Sequence, residues 1–154
     1  MVYDDRARLF ARAWKERGRR GLADEAAGLI AEVVARPAAD ALVPVPGDPE
    51  RALERGDVPP RGLAAALSGV WGISVGELLV RKHSLRRQRG LSLEERRRNV
   101  RSSVLPRGQP PPAVCVVDDV YASGATADAC ARALRGAGAR RVEVVTFARA
   151  LRID

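Results

Sequence analysis

The stretch Val114-Cys115-Val116-Val117-Asp118-Asp119-Val120-Tyr121-Ala122-Ser123-Gly124-Ala125-Thr126 decides the reading of this chain. Four apolar residues run into two adjacent acids. A short turn of small and hydroxyl residues follows, and then a helical pattern. The spacing predicts a buried strand over Ala113 to Val117, a loop over Asp118 to Ala125 and a helix over Thr126 to Arg135. Ala127, Cys130, Ala131 and Leu134 fall on one helical face, and Gly136 and Gly138 stop the helix. Arg141 to Phe147 alternates and is β-rich, so it reads as the next strand. Strand, helix and strand at this spacing make a right-handed crossover with parallel strands. In an open α/β sheet the crevice at the strand ends takes ligands, and a helix N-terminus favours phosphate. Acids beside such a cradle point to a ligand with both phosphate and hydroxyl groups, such as a sugar phosphate.

Working outward, Ala41 to Val45 reads as a short strand ending in Pro44-Val45-Pro46. Before it, Tyr3, Ala7, Phe10 and Trp14 recur at helical spacing up to Gly18. A second helix runs over about Leu22 to Ala35, with Leu29, Ile30, Val33 and Val34 apolar and Pro37 closing it. Gly47 to Pro60 carries three prolines and reads as loop. Leu63 to Val70 is a short helix, and Leu78 to Lys82 a strand leaving the core. His83 to Gly90 is polar and basic without apolar periodicity, which reads as a mobile loop. Ser92-Leu93-Glu94-Glu95 is a capping box opening a short helix through Arg98. Val100 to Leu105 is a further strand, and Gly108 to Pro112 a connector.

Composition bounds the function. The 154 residues fit one domain, with about 1–40 as a helical N-terminal part and about 41–154 as the core. No apolar run approaches the roughly 18 residues a membrane span needs, and the N-terminus lacks the pattern of a signal peptide. The expectation is a cytoplasmic protein. The two cysteines, Cys115 and Cys130, form no CxxC pair and the single histidine is His83, so no zinc site is expected. Net charge is +8, and Arg81 to Arg101 holds nine basic residues against two acids, a local +7. That segment calls for a polyanion or a solvated face. No aromatic interleaves it, which argues against a base-stacking platform, while a contact to a nucleic-acid backbone stays open.

Two common phosphate motifs are excluded. A P-loop needs a lysine after the last glycine, and none follows Gly124. A dinucleotide fingerprint needs three glycines after a strand, whereas Gly136-Ala137-Gly138 follows a helix. What remains, apolar strand, Asp-Asp, three residues and Ser-Gly-x-Thr, resembles the phosphoribosyl pyrophosphate (PRPP) motif of type I phosphoribosyltransferases. Other segments recur in order: Tyr3-Asp4, Lys15 to Gly18, Val43 to Pro46, Arg55-Gly56, Gln88 to Ser92 and Arg96 to Val100. The series is similar to the ComF family, phosphoribosyltransferase-like proteins linked to DNA uptake in competent bacteria, and covers nearly the whole chain.

The resemblance implies a Rossmann-like, mostly parallel central sheet flanked by helices, with a flexible basic loop and a small N-terminal hood. It implies transfer of a phosphoribosyl group from PRPP, with Mg²⁺, to an acceptor such as a nucleobase, with release of pyrophosphate. Asp118 and Asp119 would hold the ribose hydroxyls, directly or through the metal; read from the residues alone, one of them could instead cap the helix. Ala122, Ser123, Gly124, Ala125 and Thr126 would cradle the 5′-phosphate. Val45 and Pro46 would meet pyrophosphate through the backbone, or form only a rigid turn. Arg86, Arg87 and Arg89 would close over the pyrophosphate and exclude water, whereas Arg97 and Arg98 face solvent or nucleic acid. The implied partners are PRPP or another sugar phosphate, a DNA-uptake protein and a second copy of the chain. A binding module without turnover is the alternative. Three departures stand out: no N-terminal cysteine-rich zinc segment, Asp57-Val58-Pro59 after Arg55-Gly56, and Ala122-Ser123 where the phosphate loop often has two threonines.

Overall fold

The computed structural model describes residues 20–47, 59–81 and 104–149. The expected N-terminal aromatic helix, the Arg55-Gly56-Asp57 tip, the capping box and Arg86, Arg87, Arg89, Arg97 and Arg98 lie outside the described residues.

Among the described residues eight elements follow in order: α1 (Arg20–Val33), β1 (Ala41–Pro44), α2 (Pro59–Trp71), β2 (Leu79–Arg81), β3 (Val104–Pro106), β4 (Ala113–Tyr121), α3 (Ala125–Gly136) and β5 (Arg141–Arg149). The sheet has the order β1-β4-β5, with both pairings parallel. The expected α/β architecture with a parallel sheet flanked by helices is therefore present. An isolated parallel bridge between Leu42 and Val75 extends the sheet past β1. Strands β2 and β3 form a separate antiparallel pair. At the N-terminal end of the sheet, Asp40 ties β1 to β4: its N–H donates to the Ala113 carbonyl at 2.8 Å, and its Oδ2 accepts from the Ala113 N–H at 3.0 Å.

Alternation along β4 builds a core on each face of the sheet. Cys115 and Val117 pack with Ala23, Ala26, Ala27 and Ile30 of α1 and with Leu63, Ala64 and Leu67 of α2. Val114 and Val116 pack with Ala129, Cys130 and Leu134 of α3, and with Leu79 and Val104 of the β2–β3 pair. Because both faces are covered, the strand reads as a continuous apolar run rather than an alternation. The row of small residues on α1 sets its inner face. Of the four apolar residues near its end only Ile30 is buried, while Leu29 and Val33 are 43% and 79% exposed.

Several boundaries differ from the sequence reading, each for a physical reason. Helix α2 starts at Pro59 rather than Leu63. Proline in a first helical turn forfeits only N–H groups that have no intrahelical partner, so two prolines that read as loop instead open a helix. Strand β4 runs on to Tyr121, so Asp118 and Asp119 belong to the strand and not to the loop after it. The pairing partner decides this: β5 also continues past Phe147, to Arg149, and pairs Asp118 with Thr146, Val120 with Ala148 and Tyr121 with Arg149. Helix α3 buries Ala129 where Ala131 was expected. Its end follows expectation. The N–H of Ala139 donates to the Leu134 carbonyl at 3.0 Å and that of Gly138 to the Arg135 carbonyl at 3.1 Å, with Gly138 at φ 116°. This is the hydrogen-bond pattern of a Schellman cap.

Candidate phosphate and pyrophosphate site

Strand β1 ends beside Val117 of β4. Pro44 pairs with Val117, and the N–H of Val45 donates to the Val117 carbonyl at 2.9 Å. Beyond that bond β1 leaves the sheet while β4 runs on beside β5, at the carboxyl edge where parallel sheets bind ligands. One cavity opens past each strand.

The smaller cavity, about 60 Å³, is lined by Asp118, Val120, Tyr121, Ala122, Ser123, Gly124, Thr126 and Ala127. The loop that shapes it is only Ala122 to Gly124, shorter than the sequence suggested. Gly124 is the N-cap of α3, at φ 75° and ψ −7°, with no side chain to cap the helix. Its backbone conformation is one that L side chains rarely adopt. A Cβ there would also stand 2.8 Å from Cζ of Tyr121, and closer still to its hydroxyl. Glycine is thus required twice, by φ and by the ring lying against it. The Ser123 hydroxyl accepts the Ala125 N–H at 3.4 Å, a long bond that a stronger acceptor could replace. The turn therefore presents a helix N-terminus and the hydroxyls of Ser123 and Thr126 to one small volume. This chemistry suits a phosphate.

The two acids are not equivalent. Asp118 shares the parity of Val114 and Val116, so it projects toward α3. It lines the small cavity, and its charge is among the causes that raise the Cys130 thiol, after burial itself. Asp119 has the opposite parity and does not line that cavity. Each carboxylate accepts the next backbone N–H, Asp119 onto Asp118 Oδ1 at 2.9 Å and Val120 onto Asp119 Oδ1 at 3.0 Å. Of the five loop residues singled out in the sequence, Ala122, Ser123, Gly124 and Thr126 line the cavity, and Ala125 opens α3 behind it.

The larger cavity, about 340 Å³, is lined by Pro44, Val45, Pro46 and Gly47 on one side and by Glu77, Leu79, Val80 and Arg81 on another, with Arg61 and Arg107. Val45 and Pro46 thus sit in a cavity wall, where a pyrophosphate turn would need them. Arg61 is paired with Glu77. Arg81 is half-buried, and among the described residues its Nε is buried without a hydrogen-bond partner. A buried donor left unsatisfied is costly. The charge of Arg81 lowers the same Cys130 thiol that Asp118 raises.

Sequence reasoning missed Arg61, Arg107 and Tyr121. Arg81 carried a signal, since it opens the basic segment. The other two arginines converge on the cavity only through α2 and the antiparallel pairing of β2 with β3, which no local pattern announces.

No described group of three or more His, Cys, Asp or Glu residues could cage a metal ion. Both cysteines are buried, free and pushed up to about 12, chiefly by desolvation, which makes them poor nucleophiles. No described helix is long and apolar enough to cross a membrane.

No protein-family model and no curated protein matches the chain. Solved structures do. The purine phosphoribosyltransferase from Pyrococcus horikoshii superposes with a TM-score of 0.53 at 17% identity, over 82% of this chain and 72% of that one. The orotate phosphoribosyltransferase from Aeropyrum pernix gives 0.52 at 18% identity, over 87% and 75%. The chain has a phosphoribosyltransferase-type fold. An allosteric regulatory enzyme of purine biosynthesis matches at 0.51 and 23% identity, over 81% of this chain but only 25% of its own. In this phosphoribosyltransferase-type fold, the carboxyl edge of the parallel sheet carries both cavities, on adjoining strands.

Proposed function

We propose that the chain is a phosphoribosyltransferase-like protein that binds PRPP with Mg²⁺ and transfers its phosphoribosyl group to an acceptor, releasing pyrophosphate. The observation that carries this reading is the Val45–Val117 bond, which sets an acid-and-helix cavity beside an arginine-lined one. PRPP has a 5-phosphate at one end, hydroxyls in the middle and a pyrophosphate on C1. The small cavity fits the first, Asp118 the second, and the cavity of Val45, Pro46 and Arg81 the third.

In the transfer, a lone pair on the acceptor forms a bond to C1 of the ribose. The C1–O bond to pyrophosphate breaks, and its electron pair leaves with the pyrophosphate. The chain's contribution is to hold both ends of PRPP in line and to place positive charge at the leaving group. Arg81, and in this reading Arg86, Arg87 and Arg89, supply that charge. Asp118 accepts hydrogen bonds from the ribose hydroxyls, with Asp119 aiding from the adjacent position. Magnesium commonly binds through one or two carboxylates together with substrate phosphates rather than in an all-protein cage. The donor set here fits that mode, with Asp118 as the carboxylate. Bound Mg²⁺ would neutralise charge on the departing pyrophosphate.

The acceptor class is a nucleobase or related amine. The ordered sequence similarity to ComF proteins supports a cytoplasmic role connected with DNA uptake through a protein partner. Pyrophosphate release from PRPP across a panel of bases tests turnover. Release with one base confirms a transferase. Saturable PRPP binding with no release from any base favours the alternative, a binding module that acts through its partner.

A further inference from the structure

The small cavity has one wall that a phosphate turn does not require. Tyr121, the last residue of β4, folds its ring over the loop that follows, so that its tip rests against Gly124 at the N-cap of α3. The ring lines the cavity beside Ser123 and Thr126. Its position is held from the neighbouring strand. Arg149 is its partner in the β4–β5 register, and the guanidinium carbon lies 5.8 Å from the ring centroid. That is within cation–π range.

Resting on the reading of this loop as the 5-phosphate cradle, we propose that Tyr121 is a specificity-determining residue that donates its hydroxyl hydrogen to the ligand's phosphate, with Arg149 fixing the ring. Three observations converge on it. The loop has Ala122 where a second hydroxyl would otherwise stand, so its side-chain donors are Ser123 and Thr126 alone. The Tyr121 hydroxyl lies against Gly124, the N-cap that ends the same turn. The cavity, at about 60 Å³, is far smaller than the arginine-lined one at about 340 Å³, in keeping with a single phosphoryl group. A tyrosine hydroxyl can both donate and accept, and a bond from it to an ionised phosphate is of the stronger, charge-assisted kind. The guanidinium of Arg149 lies over the ring that lines the cavity, and places its positive charge beside that ring. The device favours a 5-phosphorylated sugar over the free sugar.

Calorimetric titration with ribose 5-phosphate, and separately with ribose, tests this on the full chain. Tyr121→Phe keeps the ring and removes only the hydroxyl, so its thermal midpoint should match the native protein. Its affinity for ribose 5-phosphate should fall by about tenfold or more, the usual weight of a hydrogen bond to a charged group. Its affinity for pyrophosphate, which the other cavity takes, should not change. Arg149→Met should weaken ribose 5-phosphate binding to a lesser degree, and the loss should shrink as salt is raised. Native-like or tighter binding by Tyr121→Phe overturns the proposal and leaves the phosphate cradle standing. No binding of ribose 5-phosphate by the native protein overturns the cradle, and the proposal with it.

Discussion

The N–H of Val45 donates to the carbonyl of Val117 at 2.9 Å, across the last rung between two parallel strands. One residue further along each chain, the functions diverge. Asp118 faces the small cavity over the start of α3, and Pro46 faces the arginine-lined cavity. In the proposed reading one ligand fills both, with anions at each end and hydroxyls between, which is the plan of PRPP.

The arginine-lined half should answer to Arg81. Arg81→Met removes the charge and the buried Nε while keeping most of the apolar stem. Pyrophosphate affinity should drop by about 10- to 150-fold, which corresponds to the roughly 1.5–3 kcal/mol of a hydrogen bond to a charged group. Ribose 5-phosphate affinity should stay close to native. Competition binding with each ligand separates the two. Equal loss for both would show that the cavities do not divide the ligand as described.

Gly124 should be intolerant of any side chain. Gly124→Ala forces an L residue to φ 75° and drives a Cβ into the Tyr121 ring. The left-handed conformation alone costs about 1–2 kcal/mol, readable as a lower urea midpoint. Adding Tyr121→Ala should restore the part of the loss due to the ring and not the part due to φ. Full recovery in the double variant would mean that backbone conformation contributes nothing there.

These outcomes bear on how much the sequence already disclosed. The β4–α3–β5 unit was legible because its apolar run, helical face and paired glycines each follow a local rule. Cys115 and Cys130 sit on opposite faces of the sheet, in line with the periods of a strand and a helix. Local rules fail where tertiary pairing wins. Asp118 and Asp119 are poor strand formers by propensity, yet β5 keeps pairing beyond them and holds them in the sheet. Pro59 and Pro60 look like breakers, yet the first helical turn accepts them. Arg61, Arg81 and Arg107 stand far apart in the chain, and only the tertiary arrangement of α2 and the β2–β3 pair gathers them around one cavity. The Tyr121–Gly124 contact was invisible for the same reason, since the turn between them decides whether the ring folds back.

The thiols give a prediction with a defined pH window. Both are held up to about 12 from an ordinary 9, chiefly by desolvation in the core. The unfolded chain therefore loses these protons first. Stability from the buried neutral thiols is complete below about pH 9 and declines as pH rises from there toward 12. The slope is about 1.4 kcal/mol per pH unit for each thiol. Comparing native protein with Cys130→Ala by urea unfolding between pH 8.5 and 10.5 isolates one of them: the variant's stability should fall less steeply. A native-state thiol reagent at pH 8 should meanwhile label neither cysteine until the protein unfolds.

Leu134 anchors α3 from beneath and is fully buried against β4. Leu134→Ala should cost about 2–5 kcal/mol, measured by denaturation. It should weaken phosphate binding only as far as the helix start loosens.

The most direct test of the central claim is a calorimetric titration with PRPP in the presence of Mg²⁺, for the native chain and for Asp118→Asn/Asp119→Asn. Native protein should bind saturably, and the double variant about tenfold or more weakly, because neutral amides replace charged acceptors for the ribose hydroxyls. The variant should still bind inorganic phosphate, whose cradle is built from the backbone and the hydroxyls of the loop. No heat from the native protein at millimolar PRPP, or the same isotherm from both proteins, would contradict the account.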